Sequence, residues 1–120
     1  MSILVLDPLP ERGMRVGVCD EHTWLYTPTI VEHAEDVVAL VARIKEKITS
    51  VVIRSGIGSF SASRTALVIG TTLSATRGAA LIVVSEEVTT PEDVFTAARH
   101  PISHFDYSKP PNITVKIKTA

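Results

Sequence analysis

The sequence of 120 residues contains one cysteine, Cys19, so it can form neither an internal disulfide nor a cysteine-rich zinc cluster. A small apolar filler in a strand is the expected role of that residue. Aromatic residues are only 5% of the chain, too few for a stacking platform that would hold single-stranded nucleic acid. Neither sign of charge dominates: 12 Lys and Arg against 13 Asp and Glu leave a formal net charge of -1. That balance excludes the basic footprint of an autonomous nucleic-acid binder. No apolar run approaches the ~20 residues of a membrane helix. The opening MSILVLDPLPERG lacks the basic start and long apolar stretch of a signal peptide, so a cytoplasmic location is expected. Internal repeats and low-complexity segments are also missing.

What remains is an ordinary globular composition, 45% hydrophobic and 21% charged, at a length that suits one domain with an unstapled core. Ile3 to Leu6 is a short apolar run stopped by Asp7-Pro8-Leu9-Pro10 and reads as a buried strand. Met14 to Cys19 and Thr23 to Tyr26 read as a hairpin. From Ile30 to Ile48 the period changes: Ala34, Val37, Val38, Val41, Ile44 and Ile48 recur at helical spacing, with Thr29 as the expected N-cap. Val31, Leu40 and Ala42 widen that stripe, which suggests a helix covered on two sides, one of them by a partner. Val51 to Arg54 reads as a strand, Ser61 to Thr76 as a helix ended by Arg77-Gly78, and Ala79 to Val84 as a strand. Thr90-Pro91-Glu92-Asp93 starts a helix that runs to about Arg99, and Ile113 to Lys118 alternates as a short amphipathic strand. The order βββαβαβ, then α and β, implies an α/β domain whose parallel connections cross over through helices.

The stretch SGIGSFSASR, between a strand and a helix, invites comparison with phosphate-binding loops. A dinucleotide fingerprint needs an acidic residue about twenty positions beyond its glycines, where this chain has Leu81 inside an apolar run. An ATP-binding P-loop needs a lysine that the stretch does not contain. Gly56 and Gly58 are therefore expected to supply unusual backbone geometry, with a serine capping the helix that follows. Asp7 stands where many α/β enzymes place a carboxylate, but Pro8 and Pro10 remove N–H donors that a phosphate would use, and a structural or solvated Asp7 is expected. His22, His33, His100 and His104 are scattered; the His100-x-x-x-His104 spacing is interrupted by Pro101. In the second helix Ala66, Gly70 and Ser74 form a ridge of very small side chains. Glycine in mid-helix costs about 1 kcal/mol relative to alanine, a cost that makes sense where another backbone approaches closely.

SGIGSFSASRTALVIGTTLSA resembles the GPGSFTGLRIG segment of the TsaB (YeaZ) family. MSILVLD is similar to that family's opening strand, EHAEDVVALVARI to its first helix and GAALIVVSE to the strand after its second helix. The resemblance covers about residues 1–87, and its motif positions are Gly56, Gly58, Ser59, Phe60 and Arg64. Ile57 stands for the usual proline, Ala62 and Ala66 for glycines, and Ser63 for a leucine.

The resemblance implies the N-terminal subdomain of an actin-like ATPase (ribonuclease H-like) fold, a mixed five-stranded sheet with helices. Residues 88–120 are then expected to offer a short C-terminal helix and strand extension in place of a second subdomain. It also implies a non-catalytic subunit with no cofactor, no metal and no membrane contact. Such a subunit supports a TsaD-type enzyme, with TsaE, in the threonylcarbamoyladenosine modification of tRNA, and meets tRNA only through the complex. Its two helices would pack on the TsaD-like subunit or on a second copy of the chain. The residues expected at that helix-helix contact are Ala62, Ala66, Gly70 and Leu73, opposite His33, Val37 and Val41. Two alternatives are a small phosphate- or nucleotide-binding domain that uses the glycine loop, and a divergent interaction domain outside tRNA modification.

Overall fold

The computed structural model describes residues 2–11, 13–56 and 58–102. Its elements are β1 (Ser2–Pro8), β2 (Met14–Cys19), β3 (Trp24–Val31), α1 (Ala34–Ala42), β4 (Ile48–Arg54), α2 (Phe60–Arg77), β5 (Ala80–Val84) and α3 (Pro91–Ala98). The strands form one mixed sheet in the order β3-β2-β1-β4-β5. β1 to β3 make an antiparallel meander, while β4 and β5 add to β1 in parallel, their crossovers made by α1 and α2. This is the α/β class and mixed five-stranded sheet expected from the sequence. The expected strand at 113–118 lies outside the described residues.

Alternation along the strands divides the core in two. Leu4, Leu6, Val16, Val18, Val51 and Ile53 face α1 and α2, where Val37, Val41, Ala66, Ile69 and Leu73 cover them. Ile3, Val5, Cys19, Val52 and Val84 face the other way, onto Val88 and onto Val94 and Ala97 of α3. Residues two apart share a face of a strand, so each strand serves both layers. β1, buried along its whole length, therefore reads as a continuous apolar run. Cys19 sits in the second layer, and burial pushes its thiol up to about 11, which removes it as a nucleophile at neutral pH.

The first helix is shorter than its periodicity predicts. Ile30 and Val31 continue β3, paired with Arg15 and Met14 of β2, and α1 starts only after His33. His33, not Thr29, is the N-cap, and it makes no side-chain capping bond. Ile44 and Ile48 are buried in the same layer as Val37 and Val41, but Ile44 lies past the helix and Ile48 opens β4 opposite Ser2. A loop and a strand start that return to one core reproduce the spacing of two further helical turns. Elsewhere the local signals are obeyed. Thr90 and Asp93 form a reciprocal capping box, with Pro91 in the first turn of α3. Thr90→Ala is expected to lower stability by about 1 kcal/mol, read by urea denaturation, because α3 has only 8 residues over which to recover the lost cap.

Candidate interaction surface and the glycine loop

The loop after β4 is occupied by its own chain. The Ser55 N–H donates to the Val84 carbonyl at 2.8 Å, tying the exit of β4 to β5. Gly56 follows at φ 94, a left-handed conformation that side chains rarely adopt. Gly58 lies against Pro8: a methyl group there would collide with the Pro8 Cβ and sit 2.9 Å from its carbonyl carbon. The Ser59 N–H donates to the Leu9 carbonyl at 2.9 Å, and the Ser59 hydroxyl accepts the Ala62 N–H at 3.2 Å. A cradle for phosphate would aim such N–H groups outward at the ligand. Here two of them are spent on the β1–β2 turn and on the helix cap. Phe60 is half-buried and Arg64 is exposed.

Asp7 is not solvated. It is 1% exposed at the end of β1, with Arg15 Nη1 donating to its Oδ2 at 3.5 Å and Arg54 Nη1 lying 3.6 Å from its Oδ1. Asp7 and Arg15 are direct cross-strand partners, and Arg54 ends the parallel neighbour β4. Burial pushes the carboxyl above its ordinary value, Arg54 and then Arg15 pull it back, and Glu87 pushes it up again. The cluster ties three strands together at one end of the sheet. Sequence reasoning missed both arginines, because their pairing with Asp7 depends on strand register. Among the described residues no group of three or more His, Cys, Asp and Glu could hold a metal ion. His22 lies in the β2–β3 turn, His100 just past α3, and His104 outside the described residues.

The helix residues expected at a partner contact separate into two sets. Ala62, Ala66 and Gly70 are buried. Gly70 faces the chain's own sheet, where a methyl group would meet Leu81 Cδ1 at 2.7 Å and Ile53 Cδ1 at 2.9 Å. The small-residue ridge thus allows a close approach between α2 and the sheet beneath it. Val37 is likewise buried below α1, and exposed His33 caps that helix. Val41 and Leu73 belong to the second set. Together with Val38, Ala42, Val68, Ile69 and Thr72 they line an apolar groove of about 230 Å³ between α1 and α2. Val38 and Val68, on its rims, are 54% and 57% exposed. Between Arg64 and Arg77 the outer face of α2 carries no charge at all. Its exposed residues there are Val68, Thr71, Thr72, Ala75 and Thr76.

The two helices run side by side in the same direction, over the half of a mixed sheet in which a meander is extended by parallel strands. YeaZ from Pseudomonas aeruginosa shares this fold. The two structures superpose with a TM-score of 0.57 at 18% identity, over 71% of this chain and 44% of the YeaZ chain. The chain therefore corresponds to less than half the length of that YeaZ. No protein-family model matches the sequence, and no curated protein matches it. At this identity the likeness is one of fold, the actin-like architecture that the glycine-loop resemblance implies. Among the described residues no helix is long and apolar enough to cross a membrane.

Proposed function

We propose that the chain is a TsaB-like, non-catalytic subunit that supports a TsaD-type enzyme in threonylcarbamoyladenosine modification of tRNA. The observation that carries this reading is the exposed, uncharged groove between α1 and α2, set on a fold shared with YeaZ. A solvent-facing helix normally carries charge; one without it over so long a stretch favours a protein partner. The same face suits a TsaD-like subunit or a second copy of the chain. In a two-fold pair the acidic first turn of α1, Glu35 and Asp36, meets the basic end of α2 at Arg77 when the helices cross head to tail.

The occupied glycine loop and the plugged Asp7 cluster support a subunit that leaves chemistry and nucleotide to its partner. They weigh against the alternative of a phosphate- or nucleotide-binding domain. The expected result is a complex between the purified chain and the TsaD homologue of the same organism, seen by gel filtration with light scattering. Val68→Glu should abolish that complex and any self-association while leaving the circular-dichroism melt within about 0.5 kcal/mol of the native chain, since Val68 faces solvent. A chain that stays monomeric and ignores the TsaD homologue would sink the proposal.

A further inference from the structure

We propose that the chain binds a small, neutral, largely apolar molecule, the size of a fused ring pair, in a cavity between the β2–β3 hairpin and the end of α1. The cavity has a volume of about 250 Å³. Val16 and Val18 of β2 line it from the sheet, Leu40 and Ile44 from above, and Tyr26, Thr27 and Thr29 of β3 along one side. Val16, Val18 and Ile44 belong to the buried core, so the cavity cuts into the core rather than lying on the surface. That separates it from the groove between α1 and α2, where Val38 and Val68 are exposed.

Irregular strand pairing opens the space. Val16 pairs with Thr29 but Val18 pairs with Tyr26, so Thr27 and Pro28 of β3 stand opposite the single residue Gly17. Such a bulge bends its strand and re-aims side chains, and bulges recur beside functional sites. Gly17 gives the cavity bare backbone, having no side chain. Its other side is closed: a methyl group there would meet Trp24 Cζ3 at 2.9 Å and Pro28 Cγ at 3.1 Å. α1 ends at Ala42, so beyond Leu40 the cover over this part of the sheet passes to the loop residue Ile44. The same loop holds Tyr26 in place, its hydroxyl meeting the Glu46 carboxylate and the Lys45 N–H.

The lining sets the chemistry of the ligand. Among the described residues no charged side chain lines the cavity, so a charged group placed in it would be buried without a partner. The aliphatic side chains of Val16, Val18, Leu40 and Ile44 suit an apolar body. Thr27 and Thr29 are exposed, which puts them at the mouth. The Thr29 hydroxyl donates to the Thr27 carbonyl, so its oxygen stays open to a donor. One neutral N–H or O–H on the ligand fits that edge. Volume sets the size: an apolar cavity of about 150 Å³ binds benzene, and this larger one suits two fused rings.

Indole is the probe, titrated into the full chain and followed by NMR through the backbone amides. The readout needs no TsaD-type enzyme, so it stands apart from any role in tRNA modification. The amides of Val18, Leu40 and Ile44 should shift and saturate, with a Kd below about 1 mM. Leu40→Trp fills the cavity from a half-buried position and should weaken binding at least roughly tenfold. Val18→Phe fills it from the sheet and should do the same, the dispersion of each spectrum reporting that the variant is folded. Tryptamine and indole-3-acetate, which add a charge of either sign, should each bind at least roughly tenfold more weakly than indole. Shifts that never saturate, or that centre on Val38 and Val68, overturn the proposal. So does an affinity indifferent to both cavity-filling substitutions, and a charged analogue that binds as tightly as indole overturns the assignment of a neutral ligand.

Discussion

Gly58→Ala is expected to destabilise the protein by about 3 kcal/mol, far more than the propensity difference between the two residues. The added methyl group meets the Cβ, the carbonyl carbon and the Cα of Pro8, the last at 3.0 Å. A proline ring and its backbone have little freedom to yield, and Pro8 is itself buried at the end of β1. Gly56→Ala serves as the comparison. There φ is 94 but nothing lies within 4 Å, so only backbone strain of about 1 kcal/mol is expected. Urea denaturation monitored by circular dichroism ranks the two. The ranking discriminates between functions as well as between packings. A glycine kept for the approach of a phosphate should tolerate a methyl group in the empty protein. A glycine kept for Pro8 should not. Native-like stability of Gly58→Ala would reopen the phosphate reading. So would a rise in melting temperature on adding ATP, since a ligand bound to the folded state alone stabilises it.

Where the sequence was easy to read, one physical cause acted at a time. β1 is buried on both faces and stopped by proline, and α3 is announced by a complete capping box. The first helix was overextended because periodicity records which residues reach a core, not which element carries them. Ile44 and Ile48 reach the same layer as Val37 from a loop and a strand. A contact surface is hard to read for a related reason. Small residues at four-residue spacing signal close approach, but a sheet of the same chain and a helix of another satisfy that signal equally. Gly70 faces inward and Val68, two residues earlier, faces out. Only the lack of charge between Arg64 and Arg77 was a legible mark of the outer face. The Asp7 cluster was illegible because Arg15 and Arg54 come beside Asp7 through one antiparallel and one parallel pairing. Neither register can be counted from the sequence.

Arg54→Ala should be the most damaging change to that cluster, lowering stability by about 3 kcal/mol near neutral pH. Asp7 is 1% exposed, and Arg54, with 16% of its side chain exposed, is the more enclosed of its two partners. Arg15 remains in the variant at a similar distance, 3.5 Å, but its side chain is 35% exposed, so solvent screens its answer to the buried negative charge. The pH dependence has a definite sign. Burial raises the carboxyl of Asp7 above its ordinary value, so between the two values the folded state holds a proton that the unfolded chain has already released. Its contribution to stability is complete below the pKa of the unfolded chain and is lost as pH rises through the folded pKa. Removing Arg54 removes the largest opposing influence, moves the folded pKa higher and widens the window in which stability falls with pH. The defect of Arg54→Ala should therefore be largest near about pH 7 and shrink toward about pH 4.5, measured by urea denaturation beside the native chain. Adding Asp7→Asn to Arg54→Ala should restore part of the stability at neutral pH and flatten the difference between the two conditions. Neutralising the acid removes the buried charge that lost its partner. A defect independent of pH, with no recovery in the double variant, would mean that Arg54 acts through the packing of its stem and that its charge contributes little.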